Sequence, residues 1–432
     1  MKVERVANNG AGIVKTESGK VAFVPGTLPG EEVTFEVIKE KKSFIEAKLK
    51  KINSQSPERI KAKCPYYGKC GGCQLQHTSP EYQLELKKGW FLDALKRVGK
   101  WDNESLETAS QVIQTRSLSP WNYRQRVRLH VKNGHIGFHA QGSHLIQEVE
   151  DCVVAFPGFQ DVLKNLRKKL PDLLWEYNIR AHVEIEVTQD SLGNIAAVPV
   201  RADYVHGKMQ NKRHGKPQSL LHKLVPLFEE EFPEYSLKKL SFEHSHLNSF
   251  TVPPESFVQP HREAVNCYSE FIEYTITENS YLFSDKPNCV DLYSGAGALT
   301  FSPLNPLQHL SPTLTAVEGV GPSIETLKKT KTPYPVKAIA NSVEDFLEHT
   351  QTQYDIVLSD PPRSGMGLET MDFFLKSQPK NRMFIYVACD SSAFARDCSL
   401  LLKAGYQLSE LLVCDAFPQT LHFETVGVFI KP

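Results

Sequence analysis

The sequence of 432 residues lacks the features that direct a chain into or across a membrane. No apolar run reaches the roughly 18 to 20 residues that a membrane-spanning helix needs. Met1–Arg5 leads into no apolar segment of the kind found in signal peptides. The nine cysteines, an odd number in a long chain, do not indicate a disulfide framework. We therefore expect a cytoplasmic protein without a membrane partner, and we expect it to act as a monomer.

The chain also lacks net charge, but its charges are unevenly distributed. Residues 39–63 carry nine Lys or Arg and three Glu, residues 116–133 carry five Lys or Arg and no acid, and residues 341–432 carry twelve acids and seven bases. Such asymmetry is expected of a protein that grips a polyanion with one part and does chemistry with another. The alternative, that the basic runs are simply solvent-exposed faces, stays open.

The length and the local patterns predict three domains of mixed α/β and β class. Residues 1–52 alternate apolar and polar residues between glycine-containing turns, which predicts a small antiparallel barrel. Residues 53–255 are predicted to form a central, mostly β domain. Within it, residues 80–99 read as a helix that could pack on the next domain, and Arg201–Lys216 as a surface loop. Residues 256–432 repeat strand and helix, which predicts a doubly wound domain with a parallel sheet.

Three cysteines lie on a glycine-rich stretch of the central domain. Cys64, Cys70 and Cys73 have the spacing C-x5-C-x2-C, and Cys152 is the obvious distant fourth ligand. Four thiolates suit either a [4Fe–4S] cluster or a structural zinc ion, and the spacing alone does not choose between them. Since four protein ligands leave no open metal position, the site is expected to be structural.

The α/β domain has polar residues or glycine turns where its first four strands end. In chain order these are Tyr293-Ser294-Gly295-Ala296-Gly297, Glu318, Asn341 and Asp360. The glycine turn lets a ligand approach the backbone, the acid can accept hydrogen bonds from ribose hydroxyls, and the asparagine is placed to read an adenine edge. Because the carboxyl ends of parallel strands share one edge, the sequence predicts a nucleotide-like ligand there. The G-x-G-x-x-G motif that a dehydrogenase would carry is absent from the turn.

Four segments together resemble the RNA uracil-C5 methyltransferases, in particular the type that acts on 23S ribosomal RNA. They are Asp291–Gly297, Asp360–Arg363, Tyr386–Asp390 and Phe417–Glu424. Residues 1–52 resemble the TRAM domain, an OB-like RNA-binding module, notably in Val21–Gly26 and Leu28–Glu31. The C-x5-C-G-G-C segment and the Gln-Leu-Gln-His after it resemble the stretch that binds [4Fe–4S] in this family. The resemblance implies a TRAM barrel, an iron–sulfur central domain and a Rossmann-like methyltransferase domain that uses S-adenosyl-L-methionine.

The same resemblance implies roles for individual residues. Contacts to the cofactor are implied for Gln259, Tyr293, Gly295, Gly297, Glu318, Asn341 and Asp360. Cys389 is implied as the nucleophile that adds to C6 of uracil, and Glu424 as the base that removes the C5 proton.

The sequence departs from the family pattern at two of these places. His261 stands where the family has Asn, two residues after the implied cofactor ligand, and Asp390 stands where it has Asn, directly after the nucleophile. The Asp390 carboxylate is expected to raise the pKa of the neighbouring thiol. Arg363 and the start of the following helix are expected to offset that effect.

A segment of the central domain interleaves aromatic residues and cations. Its predicted RNA-binding residues are Tyr123, Arg124, Arg126 and Arg128. Aromatic rings can stack on bases while arginines contact phosphates. The segment also resembles the family's Tyr-Arg-Asn-Lys. The target base has to be unpaired or flipped out of a helix to reach the site.

The sequence thus predicts methylation of C5 of a uridine in 23S ribosomal RNA through a covalent adduct between Cys389 and C6. Ribosomal RNA is preferred to tRNA because the tRNA branch of the family usually lacks both barrel and cluster. Three alternatives stay open. One is a tRNA uridine, a second is methylation of another atom such as an exocyclic amine, and the third is a non-catalytic RNA-binding or ribosome-assembly factor. Methylation of an amine would not need the thiol.

Overall fold

The computed structural model describes residues 1–204, 218–244, 247–300, 302–329 and 335–431. The polar insertion expected at Arg201–Lys216 falls largely outside them. Its first four residues are strand rather than loop, since the strand that contains them ends at Tyr204. Within the described residues, no helix is both long and apolar enough to cross a membrane.

The first domain is a small β-barrel. Its strands are β1 (Val3–Val6), β2 (Ala11–Lys15), β3 (Val21–Pro25), β4 (Glu32–Glu40) and β5 (Phe44–Ser54). They pair in the order β1-β2-β3-β5-β4, and an antiparallel bridge between Lys2 and Glu32 joins the two edges. Apolar side chains such as Val14, Val24 and Ile45 fill the interior. The predicted barrel is confirmed, except that β3 and β5 run parallel.

Two helices and a strand follow the cysteine-containing loop. They are α1 (Pro80–Arg97), α2 (Asn103–Val112) and β6 (Ile113–Ser117). The helix α1 begins where the Ser79 hydroxyl accepts a hydrogen bond from the amide of Tyr82, with Pro80 in its first turn. Its Phe91 ring is buried and packs edge-to-face on Phe394, with the ring centroids 5.2 Å apart. The helix therefore packs on the carboxy-terminal domain, as the sequence suggested.

The central domain is a five-stranded antiparallel sheet with two helices on one face. Its elements are β7 (Arg126–Lys132), β8 (His135–His139), β9 (Ile146–Gln147), α3 (Phe159–Glu176), β10 (Ala181–Gln189), β11 (Ile195–Tyr204), α4 (Gln218–Glu231), β12 (Leu240–His244) and β13 (Leu247–Val252). The sheet order is β11-β10-β7-β8-β9, and β12 and β13 form a separate hairpin. Leu166 and Leu224 of the two helices share one core with Leu129 of the sheet. The other face of the sheet is polar.

Neither of these helices was predicted from the sequence. In α3, the buried residues are Phe159, Val162, Leu163, Leu166, Leu170, Leu173 and Leu174. This spacing of three and four residues is a helical signal that could have been read from the sequence. Helix α4 lies within residues 53–255, which were predicted to be mostly β, and Pro226 inside it weakens the helical signal.

The carboxy-terminal domain is an eight-stranded α/β sheet. Its elements are α5 (Ala264–Glu278), β14 (Asn288–Leu292), β15 (Thr313–Glu318), α6 (Gly321–Lys329), β16 (Val336–Ala340), α7 (Val343–His349), β17 (Ile356–Ser359), α8 (Leu368–Ser377), β18 (Met383–Ala388), α9 (Ser391–Lys403), β19 (Gln407–Asp415) and β20 (Glu424–Ile430). Short 3-10 helices span Pro233–Tyr235, Ser280–Leu282 and Ser302–Leu310.

The strands of this sheet are ordered β16-β15-β14-β17-β18-β20-β19-β6. All neighbours are parallel except β20, which is antiparallel to both β18 and β19. The predicted doubly wound fold is confirmed. The antiparallel β20 brings its first residue to the edge where β18 ends.

The edge strand β6 comes from the interval 53–255, which the sequence assigned to the central domain. Its Ile113 lies opposite Leu411 and its Ser117 opposite Asp415, in parallel register with β19. Helix α1 packs on the same domain. Residues 80–117 therefore belong structurally with the carboxy-terminal sheet, which a single boundary at residue 255 does not capture.

Candidate active site

The turn that follows β14 has free space next to its backbone. Tyr293 has a φ of 64°, a left-handed conformation that residues other than glycine adopt rarely. Gly295 and Gly297 also have positive φ values of 56° and 95°. A side chain added at Gly295 would meet no atom within 4 Å. The turn thus leaves free space next to exposed backbone groups, as a ligand cradle requires.

Glu318 holds this turn in place from the end of β15. Its carboxylate accepts hydrogen bonds from the amides of Gly295 (2.9 Å) and Val320 (2.7 Å). Asn341 lies beside it, since its amide donates to the Glu318 carbonyl at 3.1 Å and its side-chain oxygen accepts from the amide of Ser342. The two residues predicted to read ribose and adenine therefore lie at one edge, on neighbouring strands.

Two acids lie at the same edge, Asp291, which is buried, and Asp360, which is partly buried. Burial raises the pKa of Asp360 to about 7. Burial and the charges of Asp360 and Glu318 raise the pKa of Asp291 to about 8, although its carboxylate accepts a hydrogen bond from Thr300. No role was predicted for Asp291. An acid within an apolar strand, two residues before the glycine turn, is the signal that could have identified it.

Cys389 and Glu424 occupy adjacent strand ends. Cys389 follows β18, and Glu424 begins β20. The antiparallel register places Ala388 opposite Thr425, so the next position in the pairing sets Cys389 beside Glu424. The Thr425 hydroxyl also donates to the Ala388 carbonyl at 3.1 Å. Cys389 is half-buried, whereas Glu424 is buried with 4% exposure.

The charges around the thiol favour its protonated form. Burial and the nearby carboxylates of Glu424 and Asp360 raise the pKa of Cys389 to about 12, while Arg363 acts in the opposite direction. Burial and Asp360 also raise the pKa of Glu424 well above its usual range, and Arg363 again opposes this. Glu424 and Asp360 thus disfavour the thiolate form of Cys389, Asp360 disfavours the ionised form of Glu424, and Arg363 is the cation that counteracts both effects.

Asp390 does not act as the sequence suggested. Its carboxylate caps helix α9 and accepts hydrogen bonds from the amides of Ser392 (2.9 Å) and Ala393 (2.8 Å). It is not among the groups that raise the pKa of Cys389. An aspartate satisfies a helix N-cap as well as the Asn of the family pattern, so the substitution preserves the local structure.

His261 also has a structural explanation. Its imidazole is buried and stacks on the ring of Tyr123, with centroids 4.6 Å apart and an interplanar angle of 12°. Its Nδ1 accepts from the amide of Glu263, so Nε2 carries the hydrogen and donates to the Ser119 carbonyl at 3.1 Å. The residue therefore fastens the segment of Gln259 to the central domain.

The predicted RNA-binding residues are largely engaged within the protein. Tyr123 is buried with 1% exposure, and its hydroxyl donates to the Pro418 carbonyl at 2.9 Å. It cannot stack on a base. Arg126 and Arg128 both form ion pairs with Glu186 on the neighbouring strand β10. Arg124 donates to the Arg126 carbonyl. The buried Tyr123 does not provide the expected stacking surface, whereas a phosphate-binding role for the three arginines stays a prediction.

The four predicted metal ligands line one cavity. Cys64, Cys70, Cys73 and Cys152 surround a space of about 150 Å³ together with aromatic and aliphatic side chains. Burial, a hydrogen bond from Gln76 and the charges of the other three sulfurs leave the pKa of Cys73 at about 12. Burial likewise raises the pKa of Cys152 to about 11. Clustered thiols of this kind become thiolates when a cation binds between them.

The sulfurs are spaced too widely for a single small ion. Among the described residues, which include all four cysteines, no three of these sulfurs lie within 4.8 Å of one another. A tetrahedral zinc ion with Zn–S bonds of about 2.3 Å would need sulfurs about 3.8 Å apart. A single zinc ion would therefore require the four sulfurs to move closer together.

The cysteine loop is tied to the segment that precedes Glu424. The amides of Gln74 and Leu75 both donate to the Gln419 carbonyl, at 2.9 and 3.0 Å. Gln83 on α1 accepts from the Gln419 amide and donates to its side-chain oxygen. One turn further along α1, Lys87 forms a fully buried ion pair with Asp415 at 2.6 Å. We call this group of contacts the Gln419 junction.

Comparison with known proteins agrees with this architecture. Residues 1–50 match the family model described as TRAM domain, and residues 341–432 match the one described as tRNA (Uracil-5-)-methyltransferase. A protein of Aquifex aeolicus named as an uncharacterized RNA methyltransferase is 28% identical over 99% of this chain and 97% of its own length. One from Staphylococcus aureus (strain N315) with a similar name is 29% identical over 98% and 96%.

The fold has a counterpart among solved structures. The tRNA (uracil-54, C5)-methyltransferase of Pyrococcus abyssi, solved with S-adenosyl-L-homocysteine, superposes with a TM-score of 0.67 over the whole of both chains, at 18% identity. The resemblance seen in the sequence is thus confirmed at both ends of the chain. The chain is thus similar to TRAM domains over residues 1–50, to the tRNA (uracil-5-)-methyltransferase family over residues 341–432, and along its full length to proteins named RNA methyltransferases.

Proposed function

We propose that this protein transfers a methyl group from S-adenosyl-L-methionine to C5 of a uridine in RNA through a covalent protein–RNA adduct. One observation carries the proposal. A half-buried thiol, Cys389, and a buried carboxyl, Glu424, are adjacent at the strand ends of the edge that also carries the glycine turn. A methyltransferase acting on an amine needs no thiol there, whereas one acting on C5 of uracil needs both groups.

The thiol supplies the nucleophile. C5 of uracil is a weak carbon nucleophile, and addition of the Cys389 thiolate to C6 turns the ring into an enolate. The C5 carbon of that enolate then attacks the methyl carbon of the sulfonium donor, and S-adenosylhomocysteine leaves. The thiolate forms when the Cys389 thiol gives its proton to solvent water, and Arg363 assists this step because it favours the thiolate form.

The carboxylate completes the reaction. After methyl transfer C5 carries both the methyl group and its original hydrogen. Glu424 accepts that proton, the C5–C6 double bond re-forms, and the Cys389 thiolate is expelled from C6. Burial and Asp360 raise the pKa of Glu424, and Arg363 opposes this, so Arg363 favours the carboxylate form that can accept the proton.

The donor site is assigned to the edge of β14, β15, β16 and β17. The residues proposed to contact S-adenosyl-L-methionine are Gln259, Tyr293, Gly295, Gly297, Glu318, Asn341 and Asp360. The open space beside Gly295 suits close approach of the ligand. The acids Asp291 and Asp360 suit a ligand with a positively charged sulfur.

The affinity for S-adenosyl-L-methionine is expected to rise with pH. A sulfonium cation favours the ionised form of Asp360, so binding lowers its pKa from about 7 and releases a proton. Because binding and proton release are coupled, the affinity for S-adenosyl-L-methionine should increase about tenfold between pH 6 and pH 8. Calorimetric titrations should show it for the sulfonium and much less for S-adenosylhomocysteine, whose sulfur is neutral. Asp360→Asn should remove the difference, and equal pH profiles for the two ligands in the wild type would contradict the assignment.

A [4Fe–4S] cluster held by Cys64, Cys70, Cys73 and Cys152 is the second part of the proposal. The cavity between the four thiols and their wide spacing support it. A cluster with four protein ligands would be structural and would hold the cysteine loop against the central sheet, where the Gly71 amide donates to the His139 carbonyl at 2.8 Å.

Protein purified without oxygen is expected to be brown and to contain about four irons per chain. Cys73→Ser should lower the melting temperature and the iron content while leaving the single-turnover rate of the remaining folded enzyme near the wild-type value. Cys289→Ser, which alters a thiol remote from the cavity, is a control for iron content. One zinc and no iron in the wild type would exclude the cluster.

The RNA substrate is proposed to be 23S ribosomal RNA, with tRNA as the second candidate. The tRNA enzyme of P. abyssi shares the whole-chain fold, so the presence of the barrel does not by itself separate the two. Mapping 5-methyluridine in both RNAs, from cells with and without the gene, decides between them. Loss of the modification from neither RNA would count against the proposed function.

The barrel is proposed to supply the main RNA contact. Lys42, Lys48 and Lys51, at the turn and on the second strand of the β4–β5 hairpin, are exposed, and within the described chain they form no ion pair within 4 Å. Free cations contribute most to phosphate binding, because a paired arginine has to give up its carboxylate first.

Replacing these three lysines with glutamine is expected to weaken RNA binding and to reduce the slope of log affinity against log salt by about 0.7 for each lost contact to single-stranded RNA. Arg128→Gln is the matched control and should leave the slope unchanged, since Glu184 and Glu186 already neutralise that arginine. Filter-binding titrations at several salt concentrations measure both. If Arg128→Gln reduced the salt slope more than the lysine replacements do, the main RNA-binding surface would lie on the central domain.

A further inference from the structure

Three histidines from three adjacent strands converge on the polar face of the central sheet. His130 lies on β7, His139 ends β8, and His182 lies on β10; one ring nitrogen of each lies within 4.8 Å of the corresponding atoms of the other two. The Nδ1 of His130 is 3.2 Å from the Nε2 of His182. The ring centroids of His130 and His139 are 3.7 Å apart. We call these residues the histidine triad.

The strand register explains the convergence. His130 lies opposite Glu184 on β10 and opposite Gly137 on β8. His182 and His139 are each two residues from those partners, and side chains two residues apart share a face. Leu129 and Val131, on either side of His130 in the chain, point to the apolar core on the other face. The arrangement thus follows from alternation along three strands and does not depend on a loop.

We propose that the histidine triad binds one divalent transition-metal cation, zinc foremost. Imidazole is a preferred ligand of zinc, copper and nickel, and three imidazoles with one further ligand make a common zinc site. Tetrahedral zinc with Zn–N bonds of about 2.0 to 2.1 Å needs nitrogens about 3.3 Å apart, and the His130–His182 pair already has 3.2 Å.

A second observation points to a missing partner. The Nδ1 of His139 is buried, and within the described part of the chain it has no hydrogen-bond partner. A buried polar atom without a partner costs free energy, which a metal ion or a neighbouring group bound through it would recover.

The site is separate from the cysteine cavity. None of the three histidines lines that cavity, although the His139 carbonyl accepts a hydrogen bond from Gly71 in the cysteine loop. A metal ion at the triad would join β8, β7 and β10 on the face that lacks helices. Its fourth position would take water or His144, an exposed residue whose ring lies 5.5 Å from that of His139.

The test uses the full-length protein with its iron content determined beforehand. Zinc is titrated against a chromophoric chelator, and bound zinc and iron are counted after dialysis. Wild type should bind one zinc without losing iron. His130→Gln and His182→Gln should each weaken zinc binding by about tenfold or more, whereas His135→Gln, an exposed histidine on β8 outside the triad, should bind as the wild type does.

Thermal unfolding provides a readout that does not depend on the chelator. One equivalent of zinc should raise the melting temperature of the wild type and of His135→Gln but not that of His182→Gln. Failure of the wild type to bind zinc, or equal affinity in the triad variants, would overturn the proposal. Zinc uptake matched by iron loss would also overturn it, because the ion would then occupy the cysteines. The wild-type titration decides the matter even if a variant does not fold.

Discussion

Replacing Cys389 with alanine is expected to abolish methyl transfer to RNA while S-adenosyl-L-methionine still binds. Without a thiol no adduct forms at C6, and C5 of an unactivated uracil does not attack the methyl group. The loss should be at least about 10⁴-fold, as for other catalytic nucleophiles. Transfer of labelled methyl groups to RNA measures the rate, and calorimetry measures cofactor affinity.

Cys267→Ala is the matched control for this experiment. That thiol is also half-buried in the same domain, but its neighbour is the Cys414 sulfur at 3.7 Å and not an acid of the active site. The Cys267→Ala variant should keep the wild-type rate of methyl transfer. If Cys389→Ala still methylates RNA, the C5 mechanism is wrong, and a methyltransferase that acts on another atom, such as an exocyclic amine, becomes the better explanation.

Glu424→Gln is expected to trap the enzyme on its RNA. Addition and methyl transfer need only the thiol and the donor, but the C5 proton then has no acceptor. The substitution also removes the carboxylate whose charge raises the pKa of Cys389, so the thiolate should form more readily. A methylated protein–RNA complex should accumulate to about one equivalent and survive denaturing electrophoresis, with steady-state turnover reduced about 10³-fold or more.

Two variants separate the trapped state from a general loss of activity. Glu410→Gln alters an acid on the adjacent strand β19 that accepts a hydrogen bond from Gln114, and it should turn over normally. The double variant Cys389→Ala with Glu424→Gln should form no complex at all. Normal turnover by Glu424→Gln would place the base at another group, and Asp360 would be the next candidate because its pKa is about 7.

Much of the site was predictable because its residues lie at strand ends. Parallel strands present their carboxyl ends to one edge, so any polar residue at such a position is brought near the others. The sequence positions of Glu318, Asp360 and Cys389 therefore translate directly into proximity. The position of Glu424 could not be predicted from strand periodicity alone. It reaches this edge because β20 lies antiparallel beside β18.

The errors share a physical cause, which is pairing between distant segments. Arg126 and Arg128 look like free cations in the sequence, but strand register sets them beside Glu186, about sixty residues away. The burial of Tyr123 depends on Pro418 and His261 in the same way. The pairing of β6 with β19 likewise joins residues almost three hundred positions apart. Local patterns carry no information about such partners.

Both departures from the family pattern, Asp390 and His261, are explained by contacts within the protein. Asp390 next to the nucleophile suggests an electrostatic penalty, yet its carboxylate is committed to two backbone amides of α9. His261 suggests an altered cofactor contact, yet its ring packs on Tyr123. In both cases the hydrogen-bond partner decides the role.

The Gln419 junction couples the cysteine loop to the segment that precedes Glu424. Gln419 has a left-handed backbone with a φ of 72°, and it is held there by hydrogen bonds to the cysteine loop and to Gln83. If the cysteine loop loosens, those bonds are lost and Gln419 can relax to a more favourable conformation. The strained backbone at Gln419 is therefore kept only while the cysteine loop is in place. The stability of the folded chain, more than the chemical step, then depends on whatever holds that loop together.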